Sequence, residues 1–102
     1  MEDKSITISA LVARFQLRRR ASTEAFSTGV RLARRGFVSI ADVEAELVRA
    51  EVRDPSPLHV ELYVDKNSLV GRCPCPAAVH SVCRHQVAVA HAVWVSSRRY
   101  RG

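Results

Sequence analysis

Apolar positions alternate with polar ones through the middle of this chain and recur at helical spacing on either side of it. Residues 22–36 carry the clearest helical pattern. Ser22 or Thr23 can cap it, Glu24 sits in its first turn, Arg34 and Arg35 lie in its last, and Gly36 is placed for a left-handed stop. At helical spacing Phe26, Val30, Ala33 and Phe37 form one stripe, opposite Glu24, Thr28, Arg31 and Arg35. The expectation is a helix that buries the Phe26 stripe and shows water a mostly basic face.

Residues 37–72 read as antiparallel strands. Val38, Ile40 and Val43 stand among polar neighbours, and Val48, Ala50 and Val52 fall on one side of the run from Leu47 to Arg53. Asp54-Pro55-Ser56-Pro57 is a turn, because two prolines withdraw ladder donors. Leu58 to Val64 is the next strand, Asp65-Lys66-Asn67-Ser68 a hairpin turn, and Leu69 to Cys73 the last strand. Residues 82–97 alternate like a strand over Val87–Ala90. Their length, their alanines and the absence of Gly or Pro favour a helix, one so apolar that most of its circumference must be buried. The tail Arg98-Arg99-Tyr100-Arg101 is expected to fray. Residues 1–20 read two ways. Ile6 and Ile8 alternate, while Ile8, Leu11, Val12 and Phe15 recur as a helix face behind a Ser9 cap, giving a short helix ending at Arg18-Arg19-Arg20 or a mobile arm.

The predicted class is α+β: an N-terminal helix or helices, a small antiparallel sheet of three to four strands, and a C-terminal helix anchored by metal. Residues 1–20 form a basic N-terminal segment and residues 21–102 one domain, with a finger core over 69–97. The 102 residues suffice for one small domain, and 47% of them are apolar, so the chain is not a disordered tail. Six aromatics leave the core to Val, Leu, Ile and Ala. Cores of this size are often supplemented by a metal or by disulfides.

Charge is unevenly spread. The chain carries a formal +6, yet residues 42–65 hold seven acids (Asp42, Glu44, Glu46, Glu51, Asp54, Glu61, Asp65) against Arg49 and Arg53, a local −5. The remaining residues therefore carry +11, most of it arginine, which suits phosphate and carboxylate forks better than lysine does.

The cysteines point to chemistry. Cys73-Pro74-Cys75 is followed, after seven residues, by Cys83-Arg84-His85. An odd number of cysteines fits a disulfide framework poorly, and Cys73 and Cys75 are too close in sequence to pair without strain. Three thiolates and one imidazole make a full tetrahedral set for a single structural Zn2+, with no open position for catalysis. Side chains two apart in an extended segment share a face, so Cys73 and Cys75 can aim at one point. Cys83 and His85 would stand about 200° apart inside a helix, so Cys83 must precede the helix and His85 must lie in its first turn. A helix N-terminus favours the net negative charge of such a cluster, and Arg72 and Arg84 flank its ligands. His91 lies about 9 Å further up the helix axis and reads as a partly buried helix residue. His80 is a weaker competitor for the site, and His59 has no assigned role.

The ligand spacing resembles the SWIM zinc finger, Cys-x-Cys followed by a variable gap and Cys-x-His. The resemblance extends upstream through Gly29–Val38, which is similar to the helix-and-glycine segment of such domains, and through Ala50-Glu51-Val52 and Leu58–Leu62, which look like its sheet. It covers about residues 27–93. It implies a ββα-like finger and a role in nucleic-acid or protein contacts, often beside helicases, transposases or recombination factors.

Two functions follow as expectations. The first is a small stand-alone module that binds DNA or RNA with little sequence selectivity through Arg18, Arg19, Arg20, Arg31, Arg34, Arg35, Arg98 and Arg99. Scarce aromatics argue against specific single-strand reading. The second is a protein-interaction adaptor, motivated by the acidic sheet beside basic flanks. An enzyme is not expected, since zinc would occupy Cys83 and His85, a superficial thiol–imidazole pair, and no paired carboxylates or phosphate-cradling loop occurs. No membrane or small-molecule partner is expected. The N-terminus opens with Glu2 and Asp3 and lacks an apolar leader, and Val87–Val95 is too short to span a bilayer. With metal-bound thiols suited to a reducing compartment, the expected location is the cytoplasm, or the nucleus in a eukaryotic host.

Overall fold

The computed structural model describes residues 21–44, 46–66, 68–75 and 82–101, and of residues 68 and 96–101 the backbone alone. The basic segment 1–20, His80 and the side chains of Arg98 and Arg99 lie outside the described residues. The elements run α1 (Thr23–Arg34), β1 (Val38–Glu44), β2 (Leu47–Arg53), β3 (Pro57–Asp65), β4 (Ser68–Arg72) and α2 (Arg84–Arg101). Among the described residues this is the expected α+β arrangement, two helices with one antiparallel sheet in the order β1-β2-β3-β4. The expected fraying does not appear in the backbone, since α2 runs through the basic tail to Arg101. No helix among the described residues is long and apolar enough to cross a membrane.

The sheet obeys the two-residue period. Val48, Ala50 and Val52 face inward from β2, opposite Leu62, Val60 and Leu58 of β3. Leu69 of β4 is also buried, and Gly71 stands opposite Leu62. In β1 the apolar spacing breaks from two to three between Ile40 and Val43. A bulge at Ala41 absorbs the extra residue, so Val38, Ile40 and Val43 all oppose inward positions of β2. Val43 nevertheless stays 57% exposed on the edge strand.

The outer face carries the acids, and register decides their partners. Asp42, Arg49, Glu61 and Arg72 stand opposite one another across all four strands. Their ion pairs measure 3.3, 3.4 and 3.8 Å. Each is exposed, so each contributes at most about 1 kcal/mol. Arg72 also lies over the Tyr63 ring at 5.1 Å. Thus Arg72, which flanks Cys73 in sequence, is engaged on the outer face by Glu61 and Tyr63.

Helix α2 covers the inner face, touching β1, β2 and β3, and α1 packs on α2. Being covered from both sides, α2 buries Val87, Ala88, Val89, Ala90 and Val93. Ser22 caps α1 through its Oγ, which accepts from Ala25 N–H at 3.0 Å. Gly36 ends the turn at φ +80°, a conformation that L side chains rarely adopt.

The expected buried stripe of α1 is displaced. Phe26, Val30 and Ala33 are only half-buried and Phe37 is 40% exposed, whereas Gly29 and Leu32 are the buried residues of the helix. The reason is close approach. A Cβ at Gly29 would lie 2.6 Å from the Arg84 carbonyl oxygen and 2.6 Å from Val87 Cβ. The missing side chain lets α1 lie directly on the first turn of α2, and this contact rather than aromatic size sets which face is covered.

Candidate metal centre

Local structure brings the four expected ligands together. Strand β4 ends at Arg72, and the chain then turns through Cys73-Pro74-Cys75. Helix α2 begins at Arg84, which leaves Cys83 as the residue before it and His85 in the first turn, as the spacing requires. The backbone N–H groups of His85 and Gln86 donate toward the Cys83 sulfur, so Cys83 serves as an N-cap. Its carbonyl accepts the first helical bond, from Val87 N–H at 3.1 Å. Gln86 packs over Gly71 so closely that a Cβ there would lie 2.6 Å from Gln86 Cδ, which seats the helix start on the end of β4.

The donor atoms of Cys73, Cys75, Cys83 and His85 all lie within 4.8 Å of one another, and the four side chains form a group that can hold one metal ion. His85 turns Nδ1 to the sulfurs, 3.4 Å from Cys73 Sγ and 3.9 Å from Cys83 Sγ. Tetrahedral arms of about 2.3 Å to sulfur and about 2.1 Å to nitrogen set an edge of roughly 3.6 Å between them. The observed separations bracket that edge, so the donors fit a small tetrahedral cation. All three cysteines are free thiols.

Electrostatics favours a cation there. Burial pushes the Cys73 thiol up to about 12, and the Cys83 and Cys75 thiols add to this against a backbone hydrogen bond at Cys75. Burial likewise raises Cys83, with Cys75 adding to it. Three crowded thiols cannot all ionise alone, and a divalent cation in their midst reverses that preference.

One residue of the centre escaped the sequence reading. Asp54, in the turn between β2 and β3, accepts a hydrogen bond from His85 Nε2–H at 2.9 Å and another from Arg84 Nε at 2.7 Å, both on Oδ2. Partial burial raises the Asp54 pKa, but the bonds from His85 and Arg84 and the Arg84 charge outweigh this and hold it below the ordinary carboxylate range. Arg84 therefore neutralises Asp54 and does not face the sulfurs. A signal for Asp54 existed in the topology. Three consecutive antiparallel strands put the β2–β3 turn at the same end of the sheet as the exit of β4. In sequence Asp54 reads only as a turn former and as one acid among seven.

The other expected residues lie apart. Arg31, Arg34 and Arg35 are exposed at the C-terminal end of α1. His59 is exposed on β3. His91 is half-buried on α2, its ring 5.8 Å from that of Trp94. Burial, with the Arg34 charge adding, lowers the His91 pKa below its ordinary 6.5. Above that value His91 is neutral in both states and its titration does not affect folding. As pH falls through 6.5 the unfolded chain takes up the proton first, and stability is lost until the lowered folded pKa is passed. His91→Gln removes this penalty. Compared with metal-loaded wild type, the variant's melting temperature should gain between about pH 7.5 and about pH 5.5, and a constant difference would contradict the assignment.

No protein-family model matches this chain, and neither a curated protein nor a solved structure matches it.

Proposed function

We propose that this chain is a SWIM-type zinc module in which one structural Zn2+ ties the β3–β4 hairpin to α2, and that it binds DNA or RNA with little sequence selectivity. The metal part rests on the convergence of three sulfurs and one imidazole nitrogen within 4.8 Å. Sulfur-rich tetrahedral sets suit zinc, and four protein ligands leave no open coordination position, so the module is read as non-catalytic.

The nucleic-acid part is carried by how the arginines sort. Arg49, Arg72 and Arg84 are held by acids, while Arg53 is exposed at the end of β2 and, among the described residues, outside any such pair. Among the described residues Arg31, Arg34 and Arg35 form no such pair and occupy roughly 100° of one helix surface. Unneutralised guanidinium groups on one face suit phosphate contacts. Zinc-loaded protein should bind a labelled DNA duplex of arbitrary sequence at low salt. Replacing all three arginines with glutamate should weaken binding at least tenfold. It should also reduce the slope of log affinity against log salt by about 2 to 3, at about 0.9 per phosphate contact. Loaded protein that ignores duplex DNA, single-stranded DNA and RNA at low salt would end this reading.

A second reading, an adaptor for a helicase, transposase or recombination complex, draws on the sheet. Among the described residues β1 and β4 are open edges, where a partner strand can add. A stoichiometric complex that survives nuclease treatment would favour it.

A further inference from the structure

Asp54 belongs neither to the ligand set nor to the element that carries His85; it approaches the imidazole from the opposite side of the centre. We propose that Asp54 is a positioning residue of the metal centre, holding His85 in the tautomer and orientation that present Nδ1 to the three sulfurs. This rests on the zinc reading and specifies the atom through which His85 binds.

The argument begins with what each group can donate. An ionised carboxylate has no proton to give, so the hydrogen in the 2.9 Å contact between Asp54 Oδ2 and His85 Nε2 belongs to the imidazole. A neutral imidazole protonated at Nε2 carries its free lone pair on Nδ1, the nitrogen that faces Cys73 and Cys83. Burial gives this weight. His85 is 3% exposed, so an Nε2–H without Asp54 would be a donor with little access to water. A carboxylate behind an imidazole also makes its other nitrogen a better ligand.

Arg84 completes the device from outside. Its Nε reaches the same Asp54 oxygen at 2.7 Å, and its half-exposed guanidinium keeps the carboxylate from swinging into solvent. The backbone of the turn is pinned as well. Arg53 N–H donates to the Phe37 carbonyl at 2.9 Å and Asp54 N–H to the Ser56 carbonyl at 3.1 Å. The β2–β3 turn is thus a fixed post against which His85 is set, and metal loading is coupled to the sheet through a residue that never touches the ion.

The test uses the full chain and Zn2+ alone, with affinity read by competition against a chromophoric chelator. A second readout is long-range proton–nitrogen NMR of the His85 ring. In the wild-type zinc form Nδ1 should carry the metal and Nε2 the proton. Asp54→Ala should lower zinc affinity roughly 10- to 100-fold. Asp54→Asn, whose amide oxygen still accepts from Nε2–H, should lose less and keep the same tautomer. Arg84→Ala should lose less than Asp54→Ala. Zinc on Nε2 in the wild type, or an Asp54→Ala affinity within twofold of wild type, would overturn the proposal while leaving the zinc reading intact. A wild-type protein that takes up no zinc would overturn both. Should Asp54→Ala fail to fold, the wild-type tautomer and the Asp54→Asn comparison still decide.

Discussion

Cys75→Ser, or removal of the metal by a strong chelator, should abolish the cooperative fold. A serine hydroxyl stays protonated at neutral pH and is a poor replacement for a thiolate ligand. Structural zinc contributes on the order of 10 kcal/mol in finger peptides, as much as the whole net stability of a typical domain. Here the centre fixes the start of α2, and α2 supplies Val87, Ala88, Val89, Ala90 and Val93 to the core. Losing the anchor frees the helix that fills the space between the sheet and α1. The effect should therefore spread beyond residues 70–95 to the inner face of the sheet. Circular dichroism and amide NMR of the variant should show loss of dispersed signals, and the chelated wild type should match it. A variant that melts like the wild type would contradict the coupling. Acid should act the same way, because protons compete with the ion for the thiolates and for His85.

Gly29→Val is expected to be the second most damaging single change. The helix as such would gain from replacing glycine, by up to about 1 kcal/mol for alanine and less for a β-branched residue. The site decides otherwise. The first added atom already stands 2.6 Å from the Arg84 carbonyl oxygen and from Val87 Cβ and Cγ1. Arg84 O is backbone in the first turn of α2, next to the His85 ligand, so it cannot yield as a flexible side-chain tip would. Overpacking of a close-packed site costs about 1–3 kcal/mol or more, which exceeds the propensity gain. Gly29→Ala should lower the melting temperature, and Gly29→Val should lower it further and weaken zinc retention. If both variants melt at or above the wild type, α1 does not sit on α2 as described.

Much of this was legible because short-range chemistry dictates it. Ser22 and Gly36 mark the ends of α1 through a side-chain acceptor and a positive φ that few other residues supply. The alternation of Val48, Ala50 and Val52 leaves only one face to bury, and two cysteines on either side of a proline can hardly be anything but neighbours. The ligand set was readable for the same reason, since Cys83 and His85 cannot share a regular helix and still converge.

What was not legible depends on distance along the chain. Asp54 meets His85 across 31 positions, and no periodicity reports such a pair. The displaced face of α1 was hidden because a hydrophobic stripe is read from large side chains, while Gly29 acts through having none. Similarly, the acid-rich stretch gives a net local charge in sequence but no pairing, which only the register supplies by setting Arg49 and Arg72 beside Asp42 and Glu61.

The central claim is that one ion, held by Cys73, Cys75, Cys83 and His85, closes the fold. The intact mass of natively purified protein tests it most directly. The expected species is heavier than the bare chain by one zinc ion less the protons it displaces, with zinc and folded charge states lost together on acidification. A bare chain of native mass whose circular dichroism is untouched by chelator would contradict it.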